Sequence, residues 1–429
     1  MAHALFADLA KSVTLKEIFL PESAAPEFEF ITAPLWDVVI VGAGPAGAMA
    51  AYLLARHSLS VLLLDQAAFP RRKACGGCLN RRTLTLLERC GLGGLTAQLG
   101  AKLLDRLIIA AGSGPASIKI PQGQSVSRAR FDFALIEAAQ KMGAVFLSQA
   151  KASLQNPGGP FARIQVRTEN KRCEVRAKMV LVSDGLAGDT LRQLPGCQSE
   201  TAENSLIGLY ASLPPDSFPA ETGAIYMACG QSGYAGLVRR EDDHIEIAAA
   251  VHSALLKSTN PAAGIALIFE EAGLAIPAGL SAAAWLGTAA LKRTRRILSG
   301  ERFFVLGDAS GFVEPFTGEG IYWALLQARE LTALLESHQF HWDTSLIEKW
   351  QKKNVRLMEP RKNLCRLISA ALRWQTLRRL LVKTAKHAPW LLQPLIRWIL
   401  GPTTAPVALH LPIHSRLKPA VNHTRRKPA

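Results

Sequence analysis

The stretch "WDVVIVGAGPAGAMAAYLLARHSLSVLLLDQ", Trp36–Gln66, decides the fold. Val38–Val41 is an unbroken apolar, β-branched run, the pattern of a parallel strand buried on both faces. Gly42, Gly44 and Gly47 follow in G-x-G-x-x-G spacing, with Ala46 between the last two. The first glycine permits a tight turn. The second lets backbone approach a diphosphate, and the third lets the next helix pack close to the sheet. Free N–H groups and the helix dipole favour an anion at that helix start. A second apolar strand ends at Asp65, 23 residues after Gly42, where a carboxylate can bond an adenosine ribose. Strand, glycine turn, helix, strand and acid in this order predict a dinucleotide-binding unit. The motif alone does not separate NAD from FAD.

Two further stretches repeat the strand-to-acid pattern. "KMVLVSDGLAGDTLRQL" (178–194) is a buried strand ending in Asp184-Gly185. "ERFFVLGDASGFVEPFTGEGIYWALLQARELTALL" (301–335) runs from a strand into Gly307-Asp308, then a loop, then a helix starting near Gly320 and Ile321. Between the first unit and these lies "FPRRKACGGCLN", Phe69–Asn80, with three basic residues, two cysteines and two adjacent glycines. Read alone, it could be a redox dithiol, half a metal site or a cofactor wrap. One C-x-x-C supplies two ligands where structural zinc takes four, and no second pair occurs. Basic neighbours would lower a thiol pKa, which keeps the dithiol reading open.

In this order the segments resemble the flavoprotein monooxygenase and geranylgeranyl reductase superfamily, with the p-hydroxybenzoate hydroxylase fold, over roughly residues 36–340. "FPRRKACGGCLN" is similar to the P-R-x-K-x-C-G-G segment of the geranylgeranyl reductase branch. "GDASGFVEPFTGEGI" is similar to that branch's G-D-A-x-G-x-x-x-P-x-x-G-E-G-I. The resemblance implies FAD as cofactor, with NAD(P)H or another reductant as electron donor. It implies Asp308 on the ribityl hydroxyls, Asp184 near the diphosphate, and Arg128 of "SRARFDFALIEAA" on FAD, with Asp132 four residues on. Gly320 and Ile321 would start the helix aimed at the flavin, whose reduced form carries charge that a helix N-terminus stabilises. "FPRRKACGGCLN" becomes a cofactor wrap: Arg71 and Lys73 for phosphates or a nicotinamide cofactor, Cys75 and Gly76 against the ring. Cys78 is outside the branch pattern.

The implied fold class is α/β. A Rossmann-like FAD-binding domain of p-hydroxybenzoate hydroxylase or glutathione reductase type (36–100, 126–200 and 300–340) carries an inserted antiparallel-sheet substrate domain (101–125 and 201–299). An extension (1–35) precedes it, and a basic helical region (341–429) follows, its end disordered. "LIGLYASL", "GAIYMA", "GYAGLVRR" and "HIEIAAAV" read as short antiparallel strands. Tyr226 and Tyr234 are the residues expected to face the substrate, Tyr234 with Cys75 as catalytic candidates. His244, after "EDD", is expected in an exposed hairpin turn.

The composition fits this reading. A chain of 429 residues allows two or three domains, and 49 % hydrophobic residues can bury a large core. Seven cysteines at irregular spacing argue against a disulfide framework. No secretory signal is read at the N-terminus and no transmembrane helix anywhere, so the expected location is cytoplasmic, peripheral to the inner face of the membrane. Residues 351–429 hold 17 Lys and Arg against one acid, Glu359, so the chain's formal charge of +16 sits there. Leu364, Leu367, Ile368, Ala371, Trp374, Leu377 and Leu381 fall near helical spacing, with Arg366, Arg373, Arg378, Arg379 and Lys383 between them. This is either a helix at an anionic membrane interface or one docked on its own domain with a solvated basic face. No reader motif accompanies the charge, which argues against nucleic acid.

The expected activity is FAD-dependent oxidation–reduction of a hydrophobic small molecule, reducing a C=C bond of a polyprenyl or lipid-like substrate. The alternative is NAD(P)H-dependent hydroxylation or epoxidation of a lipophilic polyketide or aromatic. A halogenase W-x-W-x-I-P segment is absent, and a non-enzymatic lipid binder is the remaining rival.

Overall fold

The computed structural model describes residues 28–156, 158–314 and 316–401. The readings of the extreme N-terminus and of the chain end lie outside these residues. The first sheet is a parallel stack with an antiparallel edge. In spatial order it runs Ser299–Gly300, Phe303–Val305, Arg172–Val182, Leu35–Val41, Val61–Leu64 and Val145–Leu147. Val38 pairs with Val61 on one side and Met179 on the other, both in parallel register. Val38, Val39 and Ile40 are fully buried, as are all of Val61–Leu64. Each such side chain contributes about 1.5–3 kcal/mol when removed from water. Helices Pro45–Ala55, Arg128–Lys141 and Gly320–Glu336 pack on one face. The hairpin of Lys151–Asn156 and Ala162–Arg167 packs on the other.

Asp65, Asp184 and Asp308 follow three parallel strands of this sheet at their carboxyl ends, the edge where open α/β sheets bind ligands. The second sheet has eight strands. In order they are Leu286–Ala290, Ile207–Leu213, Ile245–Val251, Gly233–Arg239, Ala224–Cys229, Lys102–Ala110, Ala116–Ser125 and Cys78–Leu79. All neighbours are antiparallel except Ala224–Cys229 with Lys102–Ala110. Helix Pro261–Ala272, capped by Asn260 and ended by Gly273 in the left-handed region, covers its back.

The tail differs from a single helix. Helix Ser345–Arg373 ends at Trp374, whose backbone is extended, and Gln375–His387 starts anew. Arg378 stabilises the break by donating to the carbonyls of Leu372 and Gly230. Arg378 is therefore buried rather than on a solvated basic face, and Arg373 pairs with Glu314. A third helix, Gln393–Leu400, follows. Among the described residues no helix is long and apolar enough to cross a membrane.

Candidate functional site

The strand ends of the first sheet, the inner face of the second and the tail helices enclose one cavity of ≈ 970 Å³. Its lining includes Gly42, Gly44, Ala46, Asp65, Arg71, Lys73, Cys75, Gly76, Arg128, Asp184, Tyr234, Asp308, Gly320 and Ile321. The structure thus brings together every cofactor residue expected from the sequence except Gly47. Gly47 does not line the cavity: a Cβ there would lie 1.9 Å from the Gly42 carbonyl oxygen, so its task is close helix–sheet packing rather than cofactor contact. Gly42 has φ +100 and would drive a Cβ into the Ser183 carbonyl at 2.3 Å. Gly44 differs from both. A Cβ there would meet only the Arg71 guanidinium, 3.7 Å away, so the space in front of it is open to a ligand.

"FPRRKACGGCLN" crosses the middle of the cavity and joins the two sheets. Its last residues form the edge strand Cys78–Leu79, paired with Gln124 and Ser125. Asn80 then caps helix Arg81–Arg89, its side chain accepting from the Thr83 amide at 2.9 Å. The steric need for glycine falls on Gly77, which has φ +65 and faces the Val126 carbonyl at 2.6 Å. At Gly76 a Cβ would meet only the Ala248 methyl, 3.6 Å away on the floor of the second sheet.

Charges converge along this segment. Arg128 donates twice to the fully buried Asp132, both at 2.7 Å. Burial acts to lower the Arg128 pKa, but Asp132 and a hydrogen bond with Cys75 outweigh it and hold the guanidinium charged. Arg71 reaches toward Asp65 at 3.7 Å and Asp132 at 4.0 Å, and its Nε is buried without a partner. Asp65 accepts from the Ala43 amide at 2.8 Å, which ties the second strand to the glycine turn. Burial pushes Lys73 below the ordinary lysine range, with Arg71 adding to the effect. Burial raises Asp308, against which Lys73, Arg128 and Lys362 act. Burial likewise raises Asp184, whose Oδ2 accepts from the Thr190 amide while Oδ1 is buried and unpartnered.

This is the donor set a dinucleotide diphosphate and ribityl chain require: an open glycine cradle, an unsatisfied guanidinium, a poorly solvated ammonium and carboxylates at strand ends. The residues present fit FAD. They do not favour a working dithiol. Burial pushes the Cys78 thiol up to about 12, and its Sγ lies 3.4 Å from the Gly76 carbonyl. Among the described residues no cluster of His, Cys, Asp and Glu suits a metal. A Cys78→Ser protein is therefore expected to keep its turnover and a Cys75→Ser protein to lose much of it, as steady-state assays would show; equal losses would restore the dithiol.

The tyrosines separate. Tyr234 lines the cavity, packs edge-on to Phe316 at 5.1 Å and has a buried hydroxyl with no partner. Burial, with Glu314 adding, raises its pKa well above the usual value, so it stays a neutral proton donor. Tyr226 instead sits in the core behind the sheet, edge-on to Phe218 at 5.1 Å, and does not face the cavity. Strand alternation explains it: Tyr226 and Tyr234 occupy opposite faces of their hairpin pair. His244 lies in the turn between Gly233–Arg239 and Ile245–Val251, beside Asp242. Glu246 was not legible. It is 2 % exposed, lines the cavity, and is held raised by burial although Tyr210 and Arg240 oppose this. A charged residue in the alternation of "HIEIAAAV" suits a polar outer face, but the "FPRRKACGGCLN" segment covers that face, with Gly76 against Ala248 and Cys78 near Glu246.

The tail supplies the apolar end. Leu364, Ile368, Leu372, Val382, Ile396 and Ile399 line the cavity. The docked arrangement of the two tail readings therefore holds for this face. Trp374, Trp390 and Trp398 remain exposed at its outer side.

The chain belongs to the FAD binding domain family, which matches residues 36–353. It is an FAD-dependent oxidoreductase, and its fold is that of the p-hydroxybenzoate hydroxylase type. The menaquinone reductase of Mycolicibacterium smegmatis is 27 % identical over 343 residues, 74 % of this chain and 81 % of that protein. The digeranylgeranylglycerophospholipid reductase of Thermoplasma acidophilum is 22 % identical over 353 residues, 77 % and 88 % of the two chains. Among solved structures, a flavin-dependent brominase superposes with a TM-score of 0.72 at 16 % identity, covering 85 % of this chain and 94 % of its own. A geranylgeranyl bacteriochlorophyll reductase-like protein from Thermoplasma acidophilum gives 0.66 at 19 %, covering 82 % and 92 %. At such identities the structural likeness speaks to the fold.

Proposed function

We propose that the protein reduces a C=C bond in a polyprenyl or lipid-like substrate, with NAD(P)H or another reductant as the electron donor. The observation that carries this is the continuity of the cavity. It runs from the cofactor residues at the strand ends to a wall of leucine and isoleucine side chains on three tail helices, with few polar groups among them. Such a chamber suits a hydrocarbon chain and offers little to a polar metabolite. The reductases among the relatives act on a prenylated quinone and on isoprenoid glycerolipids by name, which supports the same class.

Gly42, Gly44 and Ala46 take the diphosphate with Arg71 and Lys73, Asp65 the adenosine ribose, and Asp308 the ribityl chain. Arg128 would add positive charge beside them, and Asp184 would lie near the diphosphate. Cys75 and Gly76 would face the ring, and the helix starting at Gly320 and Ile321 would present its N-terminus to the flavin. Bound FAD supplies the hydride for one alkene carbon. The chain must then exclude water, hold the alkene and deliver a proton to the neighbouring carbon. Tyr234 and Cys75 line the cavity with hydrogens available for that transfer. Asp308→Ala is expected to weaken FAD binding by about 1–3 kcal/mol, the scale of a lost hydrogen bond to a charged group; equilibrium titration of the apoprotein checks it.

The decisive experiment is anaerobic mixing of the reduced holoenzyme with a polyprenyl quinone or an unsaturated isoprenoid lipid. Flavin reoxidation without oxygen is expected, with a product that keeps two extra hydrogens and has one alkene fewer in its isoprenoid chain after any quinol is reoxidised to quinone. Reoxidation that requires oxygen and yields a hydroxylated or epoxidised product would establish the monooxygenase reading instead.

The outer side of the tail carries a second part of the proposal, peripheral attachment to an anionic membrane. Trp390 and Trp398 are 65 % and 57 % exposed, among exposed Arg379, Lys383, Lys386 and Arg397. Aromatic and basic residues interleaved on one surface match an anionic bilayer interface.

A further inference from the structure

The matched family ends at residue 353, and all three nucleotide segments lie earlier. Yet helix Ser345–Arg373 grips the segment that leads into the flavin-facing helix at four points. Arg361 donates to Glu319 at 3.2 Å. Cys365 Sγ lies 3.1 Å from the Thr317 hydroxyl. Arg373 pairs with Glu314. Lys362 sits against Gly311, its Nζ 3.4 Å from where a Cβ on that glycine would be.

Lys362 is the unusual member. It is 6 % exposed, and among the described residues no carboxylate lies within 4.0 Å of its ammonium. Drawing an ammonium out of water is costly unless nearby anions compensate. Burial lowers its pKa. Glu359 and Asp308 act to keep it charged, and Arg366 opposes them. Of the two carboxylates, Asp308 lies in the cofactor cavity.

Glu319 links this contact to the end of the tail. It precedes the first turn of helix Gly320–Glu336, and Arg361 and Arg82 both reach its carboxylate. Arg82 is itself buried and also donates to the carbonyls of Gly401, at 2.7 Å, and Trp398, at the close of helix Gln393–Leu400. One buried arginine thus joins the flavin-facing helix start to the last tail helix.

We propose that the tail is a working wall of the flavin site, with Lys362 as a positioning cation and Arg361, Cys365 and Arg373 fixing the segment between Gly311 and Glu319. FAD binding and tail docking are then coupled, and the coupling is reciprocal: FAD holds the tail in place by the same factor by which the tail tightens FAD. This does not depend on which substrate the enzyme takes.

Two measurements test it. In the wild-type protein, trypsin cleavage at Arg379, Lys383, Lys386 and Arg397 is expected to be about tenfold slower with FAD bound than in the apoprotein. Equal cleavage rates at these sites in the two forms would overturn the coupling. In the second, Lys362→Met is expected to raise the FAD dissociation constant about tenfold and move the flavin midpoint potential negative, because a cation near a flavin stabilises the reduced, more negative form. Lys362→Arg is expected to restore both. A Lys362→Met protein with native circular dichroism, parental FAD affinity and parental potential would remove Lys362 from the site. If that variant does not fold, the wild-type proteolysis still decides the coupling.

Discussion

A Gly44→Val protein is expected to fold and to purify colourless. The three glycines of the turn look equivalent in sequence, but their surroundings differ. At Gly44 a Cβ would meet one flexible guanidinium group 3.7 Å away, and its backbone lies at φ −72, where any residue is at ease. Nothing in the protein resists the valine. The branched side chain would instead occupy the space into which a diphosphate must come. At Gly47 the added carbon would lie 1.9 Å from a backbone oxygen, in the packed contact between helix Pro45–Ala55 and the strand before it. Gly47→Val is therefore expected to destabilise the fold by more than about 3 kcal/mol, at the upper end of overpacking costs. The two variants separate cofactor binding from folding. Flavin absorbance and thermal melting, measured on both, check the pair. A yellow Gly44→Val protein with full FAD content would contradict the placement of the diphosphate.

The contrast shows what the sequence could and could not convey. The cofactor half was legible because its determinants are local. A β-branched run, a glycine spacing and an acid at a strand end each encode their own geometry within a few residues, and three such units in order leave few architectures. The split between Tyr226 and Tyr234 was less accessible. Each sits in an alternating strand, and which face is inward depends on the helix Pro261–Ala272 packed behind the sheet, a long-range fact. Glu246 shows the same limit. Its place in the strand pattern marks an outward residue, and only the "FPRRKACGGCLN" segment crossing that face turns it into the wall of a cavity. Lys362 carried no signal, because a lysine in a basic helix reads as solvated until the helix is seen to turn that face inward. The basic periodicity of the tail was real, yet it mixed residues of two destinations. Arg373 and Arg378 hold the tail to the domain, while Arg379 and Lys383 face outward.

That division sets the second large effect, on membranes. The tail need not choose between docking and lipid contact, since its apolar inner face lines the cavity and its outer face carries tryptophan, leucine and basic residues. Arg379, Lys383, Lys386 and Arg397 are exposed. Near an anionic bilayer each gains about 1 kcal/mol, so the four together are worth on the order of a thousandfold in binding at low salt. Salt screens this contribution within a Debye length. It does not screen the burial of Trp390, Trp398 and Leu391, which are 57–65 % exposed in the free protein. Holoenzyme is therefore expected to co-sediment with anionic liposomes, to weaken steeply with salt, and to keep a residual salt-resistant affinity. Glutamine at the four basic positions should abolish most low-salt binding and spare what remains at high salt. Trp390→Ser with Trp398→Ser should do the reverse, leaving the salt-sensitive part. Both sets point outward, so FAD content should not change in either. A full-length protein that stays in the supernatant with anionic lipid at low salt would leave the outer face a solvated one. If binding holds as expected, the bilayer lies against the same helices whose other side walls the cavity, and a hydrocarbon substrate would cross only their thickness to reach the flavin.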